Sequence, residues 1–175
     1  FTGSTNVGRA VARAAAQNLT PITLELGGKS PVIVAGDANL NKAVDAILFG
    51  KCINAGQICV APDYAFVPEG KVKEFVALFL QRFEELYLKG QKSQGFTHII
   101  NQRQYDRLKA MLKDAKDKGA EIHAVSETST EGRRLYPHLV THVSEEMTIM
   151  QEEIFGPLMP IKPYRDIQDV ISYIN

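Results

Sequence analysis

Two kinds of stretch take turns along this chain, and the alternation restricts the fold more than any other feature of the sequence. Helical segments, with apolar residues recurring every three or four positions, are separated by short apolar runs of strand character. The first helix is expected early, on Val7, Val11, Ala14 and Ala15, with Ser4 or Thr5 as its cap and Asn18-Leu19-Thr20-Pro21 as its stop. Further helices are expected over residues 40–49 (capped by Asp37 or Asn39), 70–88, 102–118 (with Gly119 at the end) and 166–174. Strands are expected over 22–26, 31–35, 64–67, 121–125, 138–143 and 158–163, and a polar surface loop over 126–134. Strands parted by helices do not pair as hairpins. The pattern therefore predicts an α/β fold with a mainly parallel open sheet and helices on both faces. In such sheets, sites collect at the carboxyl ends of strands. The loop after Leu26 and the turn before Cys59 are candidates on that ground.

Composition removes several function classes. The 175 residues suit one domain, or one domain with a short appendage, and can bury a core without disulfides or metals. Lys plus Arg and Asp plus Glu both number 20, so the formal net charge is zero. A nucleic-acid binder carries a basic excess, and a membrane-surface protein a basic run; neither is present. The longest apolar runs, such as 75–80, fall far short of the ~20 residues of a membrane span. Two cysteines, Cys52 and Cys59, make no disulfide framework and suit a reducing, cytoplasmic setting. The chain opens on Phe1-Thr2-Gly3 without an initiator Met or a signal-peptide pattern, which is the expectation for a piece of a longer parent.

Four places can carry chemistry. Cys59 follows the glycine-containing turn Asn54-Ala55-Gly56-Gln57, and a thiolate there is a nucleophile for carbonyl carbon. The plain alternative, a small buried hydrophobe, is the expectation for Cys52. Glu25 interrupts the apolar run 22–26 and is either an exposed alternate position or a partly desolvated base. Glu152-Glu153-Ile154-Phe155-Gly156-Pro157 reads equally well as solvated carboxylates and turn packing. Gly3-Ser4-Thr5-Asn6-Val7-Gly8 suits either an anion at a helix start or an ordinary cap. No metal is expected. His138 and His142 on one strand stand roughly 13 Å apart, too far for one ion, and His98 and His123 lack partners at ligand spacing.

Taken together, the segments 1–5, 24–31, 54–59 and 153–157 resemble the aldehyde dehydrogenase superfamily in order and separation. The wording of residues 51–64 is most similar to its coniferyl aldehyde dehydrogenase branch. The resemblance spans the chain, which corresponds to the middle-to-late part of a family member. It implies that residues 1–24 are the end of a cofactor-binding domain and that 25–175 are a catalytic domain truncated at its C-terminal end. It further implies Cys59 as the nucleophile that forms a thiohemiacetal and then a thioester, and Glu25 as the base for its hydrolysis. NAD or NADP is the implied cofactor. Glu153 would hold the nicotinamide-side ribose and Phe155 would pack near the nicotinamide. Leu26 and Gly27 would border it, and Gly3, Ser4 and Gly8 would lie at the helix start facing the pyrophosphate. The implied partner is a small-molecule aldehyde, which the branch resemblance makes an aromatic one such as coniferyl aldehyde, and the implied parent is a homodimer or homotetramer. Upstream residues that complete the family's site are not in this sequence, so the chain alone is expected to be inactive. Two other readings remain open from the residues: a cysteine esterase or acyltransferase needing no nicotinamide, and a non-catalytic interaction module.

Overall fold

The computed structural model of the chain describes residues 1–89, 95–125 and 132–175. Residues 126–131 of the expected polar loop lie outside the described residues. Helix α1 (Thr5–Gln17) starts where the Ser4 hydroxyl accepts from the Val7 N–H. Strand β1 (Pro31–Ile33) leads to α2 (Leu40–Cys52), capped by Asn39 through the Lys42 N–H at 3.1 Å. A tight turn (Ile53–Gly56) and a loop enter β2 (Tyr64–Pro68). Then come α3 (Val72–Phe83), α4 (Gln102–Asp117), β3 (Glu121–Ala124) and β4 (His138–Thr141). The short α5 (Thr148–Gln151), β5 (Leu158–Tyr164) and α6 (Ile167–Ile174) complete the order.

The five strands form one sheet in the order β1-β2-β5-β4-β3. Every pairing is parallel except β3 with β4. The mainly parallel sheet expected from the alternation is present. β2 and the first half of β5 are buried on both faces, which is why they read as continuous apolar runs rather than alternating ones.

Two expectations need correction. Residues 22–26 are not a strand of this sheet. Their alternation is real, with Leu24 and Leu26 half-buried and Glu25 exposed. Among the described residues, however, their backbone pairs only with the chain start, through Glu25 N–H to Phe1 O and Gly3 N–H to Glu25 O. A strand needs a ladder as well as a pattern. Residues 70–88 are not one continuous helix either. A 3₁₀ turn (Glu69–Lys71) precedes α3, and a single π turn (Glu84–Leu88) follows it. The wider turn stacks Tyr87 on Phe83 at 5.1 Å between centroids, and both rings meet Phe96.

Candidate active site

The three loops that carry the sequence motifs enter the sheet at the amino ends of β1, β2 and β5, not at the carboxyl ends anticipated for an open α/β sheet. Residues 27–30 lead into β1, 53–63 into β2 and 152–157 into β5. Because these strands are parallel neighbours, their amino ends share one edge.

Cys59 follows a backbone held in an unusual conformation. Asn54, Ala55 and Gly56 have φ of 48°, 54° and 72°, three successive left-handed residues. For a residue with a β carbon this costs about 1 kcal/mol or more, so the surroundings must enforce it. Gly56 is required here, since a β carbon on it would lie 2.5 Å from the Gly156 carbonyl oxygen. Phe155, beside Gly156, is itself left-handed at φ 46° and exposed. Two strained segments thus press together, one leading to the thiol and one carrying Glu153.

Cys59 is exposed, and among the described residues its backbone N–H has no protein acceptor. Cys52 differs: burial pushes its thiol up to about 12, the value of an inert core sulfur. Glu25 is exposed, and no hydrogen bond among the described residues joins it to Cys59. Gly27 lies against Glu153, where a β carbon would stand 1.8 Å from Oε2. The half-buried Glu153 carboxylate accepts no hydrogen bond among the described residues, so its oxygens remain available to a ligand. Gly8 lies against Leu26, 2.7 Å from a β carbon to Cδ2, and Gly3 is tied by backbone to Glu25. The sequence candidates Gly3, Gly8, Glu25, Leu26, Gly27, Glu153 and the Cys59 turn are therefore linked in one seam. Ser4 joins it only as the cap of α1.

The polar network beneath the seam went unread in the sequence. Asp63, 4% exposed, pairs with Lys29 and accepts from the Ile154 N–H at 2.8 Å. Lys29 also donates to Ile149 O and Glu152 O, 2.9 Å each, closing the carbonyl end of α5. Arg107 on α4 donates to Glu153 O and Ile154 O. Lys51, 1% exposed, donates to Pro62 O at 2.8 Å, and burial pushes its amine down to about 8. A charged residue bracketed by apolar ones, as Asp63 is before β2, was the available hint. Its partners lie 34 and 91 residues away, so no local pattern names them.

Burial disfavours the charged form of His138, whose Nδ1 lies 2.7 Å from Tyr136 O. His142 stands just past β4 with φ 57°. Among the described residues no group of three or more His, Cys, Asp or Glu is arranged to hold a metal ion. None of their helices is long and apolar enough to cross a membrane. Clefts of about 330 and 390 Å³, one around Glu69, Tyr164 and Tyr173 and one around Phe49, Arg82 and Tyr87, lie apart from the seam.

Comparison with known proteins decides what this edge belongs to. The sequence profile of the aldehyde dehydrogenase family matches residues 1–175. The chain belongs to the aldehyde dehydrogenase family. It is 47% identical over 175 residues to a probable coniferyl aldehyde dehydrogenase of Pseudomonas aeruginosa, covering all of this chain and 37% of that protein. Among solved structures, Staphylococcus aureus AldH in a substrate-bound state superposes with a TM-score of 0.87 at 41% identity, covering 99% of this chain and 38% of that one. Betaine aldehyde dehydrogenase of Staphylococcus aureus in complex with NAD+ gives 0.88 at 30% identity, covering all of this chain and 36% of that one. The chain thus spans well under half the length of these aldehyde dehydrogenases.

Proposed function

We propose that this chain supplies the cysteine-bearing part of an NAD(P)-dependent site that oxidises an aldehyde to the acid. An aromatic aldehyde such as coniferyl aldehyde is the leading substrate, because the Pseudomonas aeruginosa relative bears that name. The Cys59 sulfur adds to the aldehyde carbon, and the Cys59 N–H donates to the oxygen of the resulting thiohemiacetal. NAD or NADP, when bound, accepts hydride from that carbon. Glu25 takes the proton of the water that attacks the thioester, and the acid departs as the thiol is restored. Glu153 receives ribose hydroxyls, Phe155, Leu26 and Gly27 border the nicotinamide, and the start of α1 at Gly3, Ser4 and Gly8 faces the pyrophosphate.

The observation that carries this reading is the seam. Gly27 against Glu153 and Gly56 against Gly156 set the thiol turn and an unspent carboxylate on one sheet edge. The fit to a nicotinamide dinucleotide rests on the same contacts: a position with no room for a side chain beside an acceptor suited to ribose hydroxyls. In this reading residues 1–24 belong with a cofactor-binding unit and 25–175 with the catalytic one. The protein works as a homodimer or homotetramer in the cytoplasm, where its two free thiols stay reduced.

The test is a graft of these 175 residues into the Pseudomonas aeruginosa relative, in place of the matching segment. The graft should reduce NAD or NADP with an aromatic aldehyde. Cys59→Ala should abolish this, and Glu25→Gln should leave an acyl group on Cys59. The 175 residues alone should show no turnover. A folded, cofactor-binding graft whose activity survives Cys59→Ala would sink the reading.

A further inference from the structure

Gln57 has a side chain whose amide atoms are all engaged, and it sits two residues before Cys59. It is 9% exposed. Its Nε2 donates to Asn54 O at 2.9 Å and to His98 O at 3.1 Å, and its Oε1 accepts from the Ile100 N–H at 2.9 Å. The orientation is forced, because a flipped amide would set its oxygen against two carbonyl oxygens. The backbone closes the same loop: Gln57 N–H donates to Asn54 O, and Asn54 Nδ2 donates to Gln57 O. Gln57 therefore clamps, from inside, the turn whose three residues all have positive φ. It anchors that turn to a strap, residues 98–100, that lies 41 to 43 positions away in sequence.

Turn propensity does not explain this arrangement. Ala55 at φ 54° gains nothing by itself from a left-handed backbone and returns to the right-handed region when released. Such a return would swing the chain that follows, Cys59 included. We infer that Gln57 is the positioning residue of Cys59: it holds the left-handed turn against the strap, so that the sulfur and the Cys59 N–H serve one carbonyl together. This rests on the reading of Cys59 as a nucleophile toward carbonyl carbon.

The experiment measures two reactions of Cys59 in the 175-residue chain, each followed on the Cys59 peptide, with buried Cys52 as internal control. In acylation by p-nitrophenyl acetate, the sulfur–carbonyl bond forms through an oxyanion and p-nitrophenolate leaves. In alkylation by iodoacetamide, a carbon–sulfur bond forms and iodide leaves, with no oxyanion. The Gln57→Met variant should lower the acylation rate about tenfold or more while alkylation stays within about threefold. Adding Ala55→Gly should recover part of the loss, since glycine adopts positive φ without steric cost. Circular dichroism establishes that each variant is folded. Gln57→Glu, which keeps size but loses both donated bonds, carries the same comparison if the methionine variant does not fold. A parallel fall in both rates, unchanged rates, or no recovery with Ala55→Gly overturns the inference. A parent chain that acylates normally whatever stands at position 57 sinks the clamp alone. A parent whose Cys59 is never acylated sinks the nucleophile reading with it.

Discussion

Among residues 1–28 the single buried residue is Gly8, whereas the strands β2, β4 and β5 beyond them are buried over most of their length. The candidate site draws on both regions. Its first half (Gly3, Ser4, Glu25, Leu26, Gly27) meets the second at the close approach of Gly27 to Glu153, while its backbone bonds, such as Gly3 N–H to Glu25 O, stay within the first half. Its second half (Cys59, Glu153, Phe155) is set by core packing and by a buried charge network. The two halves should therefore fail differently. Damage to the second costs the fold and the site together, and damage to the first costs the site alone.

The sharpest way to break this contrast is Asp63→Ala. It strands the Lys29 ammonium, whose side chain is only 20% exposed, and frees the Ile154 N–H. Losing one partner of such a pair should cost about 3–5 kcal/mol in urea denaturation. A loss below about 1 kcal/mol would place this knot among ordinary surface pairs and erase the distinction.

Lys51 sharpens the comparison through pH. Its amine is pushed down to about 8 from an ordinary 10.5, so between those values the unfolded chain holds a proton that the folded chain does not. Stability then rises with pH across that window. The Cys52 thiol, pushed up to about 12 from 9.0, acts in the opposite direction above pH 9. From pH 7 to 9 the parent should gain about 1 kcal/mol of unfolding free energy relative to Lys51→Met. A gap independent of pH would mean that Lys51 stays charged in the fold.

The smallest effect on stability belongs to the first half. Gly27→Ala sets a β carbon into the Glu153 carboxylate. Urea stability should change by no more than about 0.5 kcal/mol, because Gly27 is exposed and supports no core. In the grafted enzyme the same change should raise the KM for NAD or NADP. A large loss of stability would show that the arm is as deeply built in as the body.

Much of the fold was legible because it is local. The periodicity of α4 and the cap at Asn39 depend on residues within one or two turns. The continuous apolar wording of β2 declared a strand buried on both faces. Residues 22–26 misled because alternation says which side of a chain is wet, not whether a neighbour strand is there to pair with. The site was legible in its motif residues, and Cys59 could be told from Cys52 by its glycine-containing turn. The clamp of Gln57 and the knot of Asp63 were not legible, since each is a bond between distant segments.

The sequence by itself determined the order and kind of most elements, the mainly parallel sheet they imply, and which thiol faces outward. These follow from side-chain periodicity and backbone preference, which act over a few residues. Tertiary structure alone decided that the motif loops meet at the amino ends of β1, β2 and β5. It also decided that Gly27 touches Glu153, and that a left-handed turn is held ready before Cys59. Those outcomes depend on hydrogen bonds and close approaches between residues up to 126 positions apart, from Gly27 to Glu153. Only the assembled sheet brings such groups within reach of one another.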